Sequence, residues 1–441
     1  MSKKFLACII CLLFFLPCLL LGDDTEQGLE GFFNAMVDFF SEQNTNWHEY
    51  PASGMLLGSR DMALYVVFTY PGSQAESAGI KAGDNIFQIN ADTQAMFVDP
   101  KYAAQMVNGY PVGSQIIIGV SRNKANFIFK LTRESISVPE ELFPAKQGEK
   151  WGYITKDGRM FIPPIYIDAT RFDDGLSLVR FENRMNGYIN KMGQTAFTID
   201  DAQYYTFSEG LVPHQSGANW GYIDKSGQLA ISYKFDFVSN FSKRLALVQK
   251  DEKWGYINHQ GDFVIPARYE SGYDFSEGLA AVIDSNLKIG FVDTVGHLVI
   301  PCQYDNMMSF KEGLALVQKN GKEYFINKQN EILLEPVFHV FSMFSEELAA
   351  VIQDNKIGFI DKSCKLIIPF KYDGASGFFE GLSNVVFNKK YGYIDKLGKM
   401  VISPQYETAS NFYAGIALVK KDGLMRYIDR QGKVVWQEKK E

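Results

Sequence analysis

The stretch Trp220–Ser232, WGYIDKSGQLAIS, opens on an aromatic-Gly-aromatic triplet, turns on a polar segment around Lys225–Gly227 and finishes apolar. The chain writes this pattern again as WGYINHQGDFVIP from Trp254 and YGYIDKLGKMVISP from Tyr391. The glycine behind the leading aromatic recurs at Gly152, Gly187, Gly221, Gly255, Gly290, Gly358 and Gly392, and Tyr324 and Arg426 fill the same slot in two degenerate copies. The gaps are 34 or 35 residues throughout. A second marker, usually Glu-Gly before Leu, and a third, the turn glycine seen at Gly227 and Gly261, keep the same period.

A fixed period of this size signals a repeat architecture. A helical repeat fails the test, because each unit holds Ile-Pro, several turn glycines and β-rich runs such as FVIP, with no long helical face. In the unit Trp254–Lys288, WGYIN reads as a first strand, NHQGD as a hairpin turn and FVIP as a second strand stopped by Pro266. LAAVID reads as a third strand, apolar on both faces as burial between neighbours requires. So small a unit cannot bury its faces alone, whereas stacked units can. The units resemble the WG, or KWG, repeat of bacterial secreted and surface proteins. EELFPAKQGEK (140–150) matches a third strand and MRYIDRQGKVVW matches only a hairpin, so about nine units are present with incomplete ends. The expected fold is mainly β, an open β-solenoid or superhelix over residues 136–441. A closed β-propeller is the alternative, because a permuted start of this kind would let the ends meet.

Ahead of the repeats, residues 1–22 have two lysines, an uncharged apolar run from Phe5 to Leu21 and a closing glycine, the layout of a signal peptide. The expectation is export to the periplasm or cell surface, with a membrane anchor through residues 5–21 as the alternative. Residues 23–46 read as a linker with an amphipathic helix over 27–42, whose polar face carries no Lys or Arg and so points to a protein partner rather than to lipid. If the leader is removed, Cys302 and Cys364 are the cysteines that remain, read as two free thiols.

Residues 47–135 read as strand, turn and short helix, strand, helix, then two strands. The phrase PGSQAESAGIKAGDNIFQIN, with Pro71-Gly72-Ser73, Ala78-Gly79-Ile80 and Gly83-Asp84, resembles a bacterial PDZ domain. That resemblance implies an α/β domain in which an extended peptide adds to a strand edge beside a long helix. It maps the groove to Gly54, Met55, Leu56, Leu57 and Gly58, with Tyr102 and Met106 on the helix side.

The chain of 441 residues carries a net charge of −7 and shows no basic run beyond short doublets, which argues against nucleic acid as a partner. The five histidines are scattered without metal-ligand spacing, and no nucleophile elbow, HExxH or phosphate loop occurs. No catalytic residue, metal or cofactor is therefore expected. Repeated glutamates (Glu209, Glu277, Glu312, Glu380) read as acceptors for backbone amides in turns rather than as a cation row. Trp151, Trp220 and Trp254 read as packing between units rather than as a sugar-stacking row. The chain is expected to be a non-enzymatic envelope or secreted scaffold that binds a peptide at the PDZ-like groove and a protein or glycan along the repeats. A protease adaptor or an adhesin are the alternatives, with membrane contact only through an uncleaved N-terminus.

Overall fold

In the computed structural model, residues 50–52, 54–60, 63–90, 103, 104, 107, 111–134, 136–199 and 205–439 are described. The leader, the 27–42 helix, Tyr102 and Met106 lie outside them. The described residues are mainly β: one six-stranded sheet and nine further sheets, seven of four strands and two of three, all antiparallel neighbours in chain order.

The six-stranded sheet runs β1 (Tyr50–Ala52), β2 (Met55–Arg60), β3 (Ala63–Thr69), β4 (Asn85–Ile89), β5 (Gln115–Arg122) and β6 (Ala125–Thr132). Between β3 and β4 lies the short helix α1 (Gln74–Ala78), capped by the Ser73 hydroxyl at one end and by Gly79, at φ +90°, at the other. Arg122 grips buried Asp84 at 2.5 Å from two nitrogens and also bonds the Gly79 carbonyl, which ties β5 to the turn before β4. Met55, Leu57, Leu64, Val66, Ile86, Ile118 and the helical residues Ala103, Ala104 and Val107 share one core.

A bulge on β3 decides what the other face meets. Leu57 pairs with Val66 but Leu56 pairs with Phe68, so one residue is extra and the side-chain direction changes. Phe68 therefore leaves the first core and, with Leu56, which ordinary alternation along β2 turns to that side, joins Tyr70 against Tyr153, Tyr166, Val179 and Ile189 of the repeats. The Tyr70 hydroxyl donates to the Met192 carbonyl at 2.6 Å. The N-terminal sheet is thereby docked on the first two repeat sheets.

The fourth repeat sheet shows how a unit is built, from strands Phe237–Val238, Ala246–Lys250, Lys253–Ile257 and Phe263–Tyr269. The expected third strand pairs with the hairpin that follows it in sequence, not with the hairpin before it. Pro266 does not stop its strand either. Trp254 pairs with Tyr269 and Tyr256 with Ile265, so three residues, Pro266 among them, bulge opposite Gly255 at the sheet edge, where no ladder partner needs the missing N–H.

The nine sheets form a closed ring, which corrects the expected open superhelix. Nine apolar clusters lie one at each junction between consecutive sheets. The last joins Ile416 and Tyr427 of the ninth sheet to Phe143, Ala145 and Ile154 of the first. The Tyr427 hydroxyl donates to the Pro144 carbonyl at 3.0 Å, and the Phe143 ring stands 5.6 Å from that of Tyr427 and 6.2 Å from that of Tyr413. Closure follows because the ends present the same faces as every internal junction, so burying them costs no special geometry.

Candidate functional site

The residues expected to line a peptide groove are placed inside the molecule. Met55, Leu56 and Leu57 have no exposed surface, and Gly54 and Gly58 are buried. Gly54 adopts φ +90°, and its carbonyl accepts the Tyr70 N–H at 2.8 Å and the Ser73 hydroxyl at 2.9 Å. A Cβ at Gly54 would stand 2.6 Å from that of Ser73, so only glycine fits. β2 is paired on both edges, by β3 and by β1 through Tyr50↔Leu57 and Ala52↔Met55. The edge that would take a peptide strand is thus held by the chain's own residues, and the two residues of the helix wall are not described.

Along the ring, the repeated polar groups bond inward. Tyr153, Tyr188, Tyr222, Tyr256 and Tyr393 each donate a hydroxyl to a carbonyl seventeen residues on, in the connection to the next sheet. Burial pushes the hydroxyls of Tyr153, Tyr222, Tyr256, Tyr393 and Tyr427 well above their ordinary pKa, so they remain donors. The glutamates accept backbone amides, as expected from their type, but from the neighbouring unit rather than from their own turn: Glu277 from Gly313 and Glu380 from Gly415. Lysines pair with Glu277, Glu312 and Glu346. Trp220 packs between sheets, against Phe237 of the next sheet and against Tyr205, and Trp254 packs against Phe237 of its own sheet.

Among the described residues no group of three or more His, Cys, Asp or Glu side chains could hold a metal ion. His214 meets Tyr233, His259 stacks on Phe241, and His297 and His339 each face one carboxylate. Cys302 and Cys364 are free and half-buried, and burial raises both thiols above their ordinary pKa. Two cavities stand out. One, of about 270 Å³, is bounded by Gln303, Tyr304, Lys319, Asn320, Tyr324 and Asn330. The other, of about 490 Å³, lies at the ring seam between Lys156, Glu380, Ala414, Gly415, Arg430 and Gln431. Sequence reasoning passed over these seam residues. The signal was there in Ala414, which breaks the acidic position of the repeat while Lys156 keeps the basic one.

Seven segments, 151–184, 220–254, 254–286, 289–322, 325–356, 357–391 and 391–424, match the model of a family described as WG containing repeat. No curated protein matches the chain. Solved structures with a distant likeness include a dihydro-heme d1 dehydrogenase, 13% identical over 61% of this chain and 74% of that one at a TM-score of 0.40. BamB from Moraxella catarrhalis is 11% identical over 68% of this chain and 94% of its own, at a TM-score of 0.30. The extracellular domain of a putative hybrid two component system from B. thetaiotaomicron is 9% identical over 87% and 69%, at 0.28. These likenesses are too remote to transfer an activity or ligand. Among the described residues no helix is long and apolar enough to cross a membrane.

Proposed function

The chain belongs to the WG containing repeat family, whose model covers more than half of it, and from that premise we propose that it is an exported, non-enzymatic binding scaffold. The observation that carries the reading is where the repeated groups are spent. Tyrosine hydroxyls, turn aspartates and glutamates bond within the ring, so a partner meets the side chains that vary between units. Among these are exposed apolar residues at one register position, Leu229, Phe263, Leu298, Ile332 and Val434, each opposite a buried Ile or Val of the central strand. Exposed apolar positions of this kind suit protein recognition.

In the same reading the N-terminal sheet is PDZ-like and takes an extended peptide along β2 after Tyr50–Ala52 has moved aside. The support is the strand, capped short helix and tight turn formed by residues 63–89. A peptide library with free and amidated C-termini, screened by fluorescence polarisation on the full chain and on a variant lacking residues 50–52, tests this. Binding strengthened by the deletion is the expected result. If no peptide binds either protein, the groove reading fails.

A further inference from the structure

Five junctions of the ring share one arrangement, in which a carboxylate of one unit sits between a backbone N–H and a basic side chain of the next, a lysine in four and His259 in one. Asp174 accepts from Gly210 N–H at 2.6 Å and pairs with Lys225 at 2.8 Å. Glu209 accepts from Arg244 N–H at 2.9 Å and faces His259 at 3.5 Å. Glu277, Glu312 and Glu346 accept from Gly313, Glu347 and Gly381, and pair with Lys328, Lys362 and Lys396 at 3.5, 3.2 and 3.2 Å.

Two junctions lack the acid, and they differ. Between the fourth and fifth sheets Lys243 holds the acid's position and Thr294 the cation's, so the acid and the cation are lost together. At the seam between the ninth and first sheets the acid's position is Ala414, yet the cation stays as Lys156. Lys156 reaches across the Ala414–Gly415 turn, its Nζ 2.6 Å from where a Cβ of Gly415 would stand. Among the described residues no carboxylate lies within ion-pair distance of Lys156 or of Arg430, its neighbour in the 490 Å³ cavity. The two acids that border this cavity accept main-chain amides, Glu380 from Gly415 and Asp429 from Gln431 and Lys433, and Arg430 holds the cation's position of the Glu380 junction.

We propose that the seam is a carboxylate-binding site, into which a partner polypeptide places an Asp or Glu side chain that completes the junction as Glu312 completes its own. A polypeptide is the favoured source because the five completed junctions receive their carboxylate on a chain. Lys156 supplies the cation.

The test uses the full chain and calorimetric titration with a capped, otherwise neutral peptide carrying one central Glu, with its Gln analogue as control. The Glu peptide should bind, and the Gln analogue and the Lys156→Met variant should each weaken binding by about tenfold or more, the size of one charge-assisted contact. Lys156→Arg should retain binding, while Ala414→Glu should abolish it by restoring the chain's own carboxylate and should raise Tm. Circular dichroism on Lys156→Met checks that the ring is intact. Equal binding of the Gln peptide, unchanged binding by Lys156→Met, or no binding heat overturns the proposal. Free glutarate that binds as tightly as the Glu peptide overturns the choice of a polypeptide partner.

Discussion

Gly255 shows why the family signature carries a glycine. Its φ is unexceptional, but three residues of the adjacent strand bulge toward it, and a Cβ there would stand 2.5 Å from the Ile265 carbonyl oxygen and 2.8 Å from Pro266. Gly392 meets Ile402 in the same way at 2.6 Å. Gly278 is required for a different reason, because it has φ +90° with open space around it. Gly255→Ala should therefore force backbone apart and destabilise by about 1–3 kcal/mol, the usual cost of overpacking. Gly278→Ala should cost about 1 kcal/mol, from left-handed backbone strain alone. Urea denaturation of the two variants separates them, and a Gly255→Ala protein as stable as wild type would refute the bulge account. Tyr256→Phe removes a buried donor aimed at the Tyr273 carbonyl at 2.8 Å and should cost about 1 kcal/mol in the same assay.

At the scale of the element, hairpin turns and unit-to-unit stitches both depend on ionised carboxylates. Asp224 accepts the Ser226 hydroxyl and the amides of Ser226 and Gln228, and those bonds hold its carboxyl below the usual range. For Glu312 burial opposes ionisation, but the amides of Glu347 and Glu346 together with Lys362 outweigh it and lower its pKa. A carboxyl whose folded pKa is depressed stabilises the fold above its unfolded pKa and loses that contribution as pH falls through the folded value. Tm should hold from neutral pH to about pH 5 and fall on further acidification. Glu312→Gln should lower Tm at neutral pH and make the acid-side decline shallower. A decline in that variant as steep as in wild type would remove Glu312 from the account. Edges are handled separately, since exposed Pro266, Pro301 and Pro369 lie on strands that end their sheets, where a missing N–H discourages pairing with another chain.

For the whole molecule, the sequence showed the period, the hairpins and the turn glycines plainly, because each depends on residues within one unit. Two features depend on residues far apart and were less legible. The bulge that turns Phe68 to the side of Leu56, toward the ring, changes no residue type, so β2 read as a groove strand although its sides feed two cores. Closure was legible only as the alternative that the permuted start allows, because Tyr427 and Pro144 are 283 residues apart and are the same kinds of group that meet at internal junctions. Because the first and ninth sheets meet, the ends of the array are not free, and this has a thermodynamic signature. An open array frays from its termini, whereas here the amides of Leu424–Asp429 should be as protected from hydrogen exchange as those of Lys253–Ile257 in the fourth sheet. Tyr427→Ala empties the closing cluster and should cost about 3–5 kcal/mol, typical of a large buried aromatic. Its exchange effect should reach Phe143–Gln147 in the first sheet, a strand that an open array would leave undisturbed. Faster exchange confined to the ninth sheet would mean that the ring is open in solution.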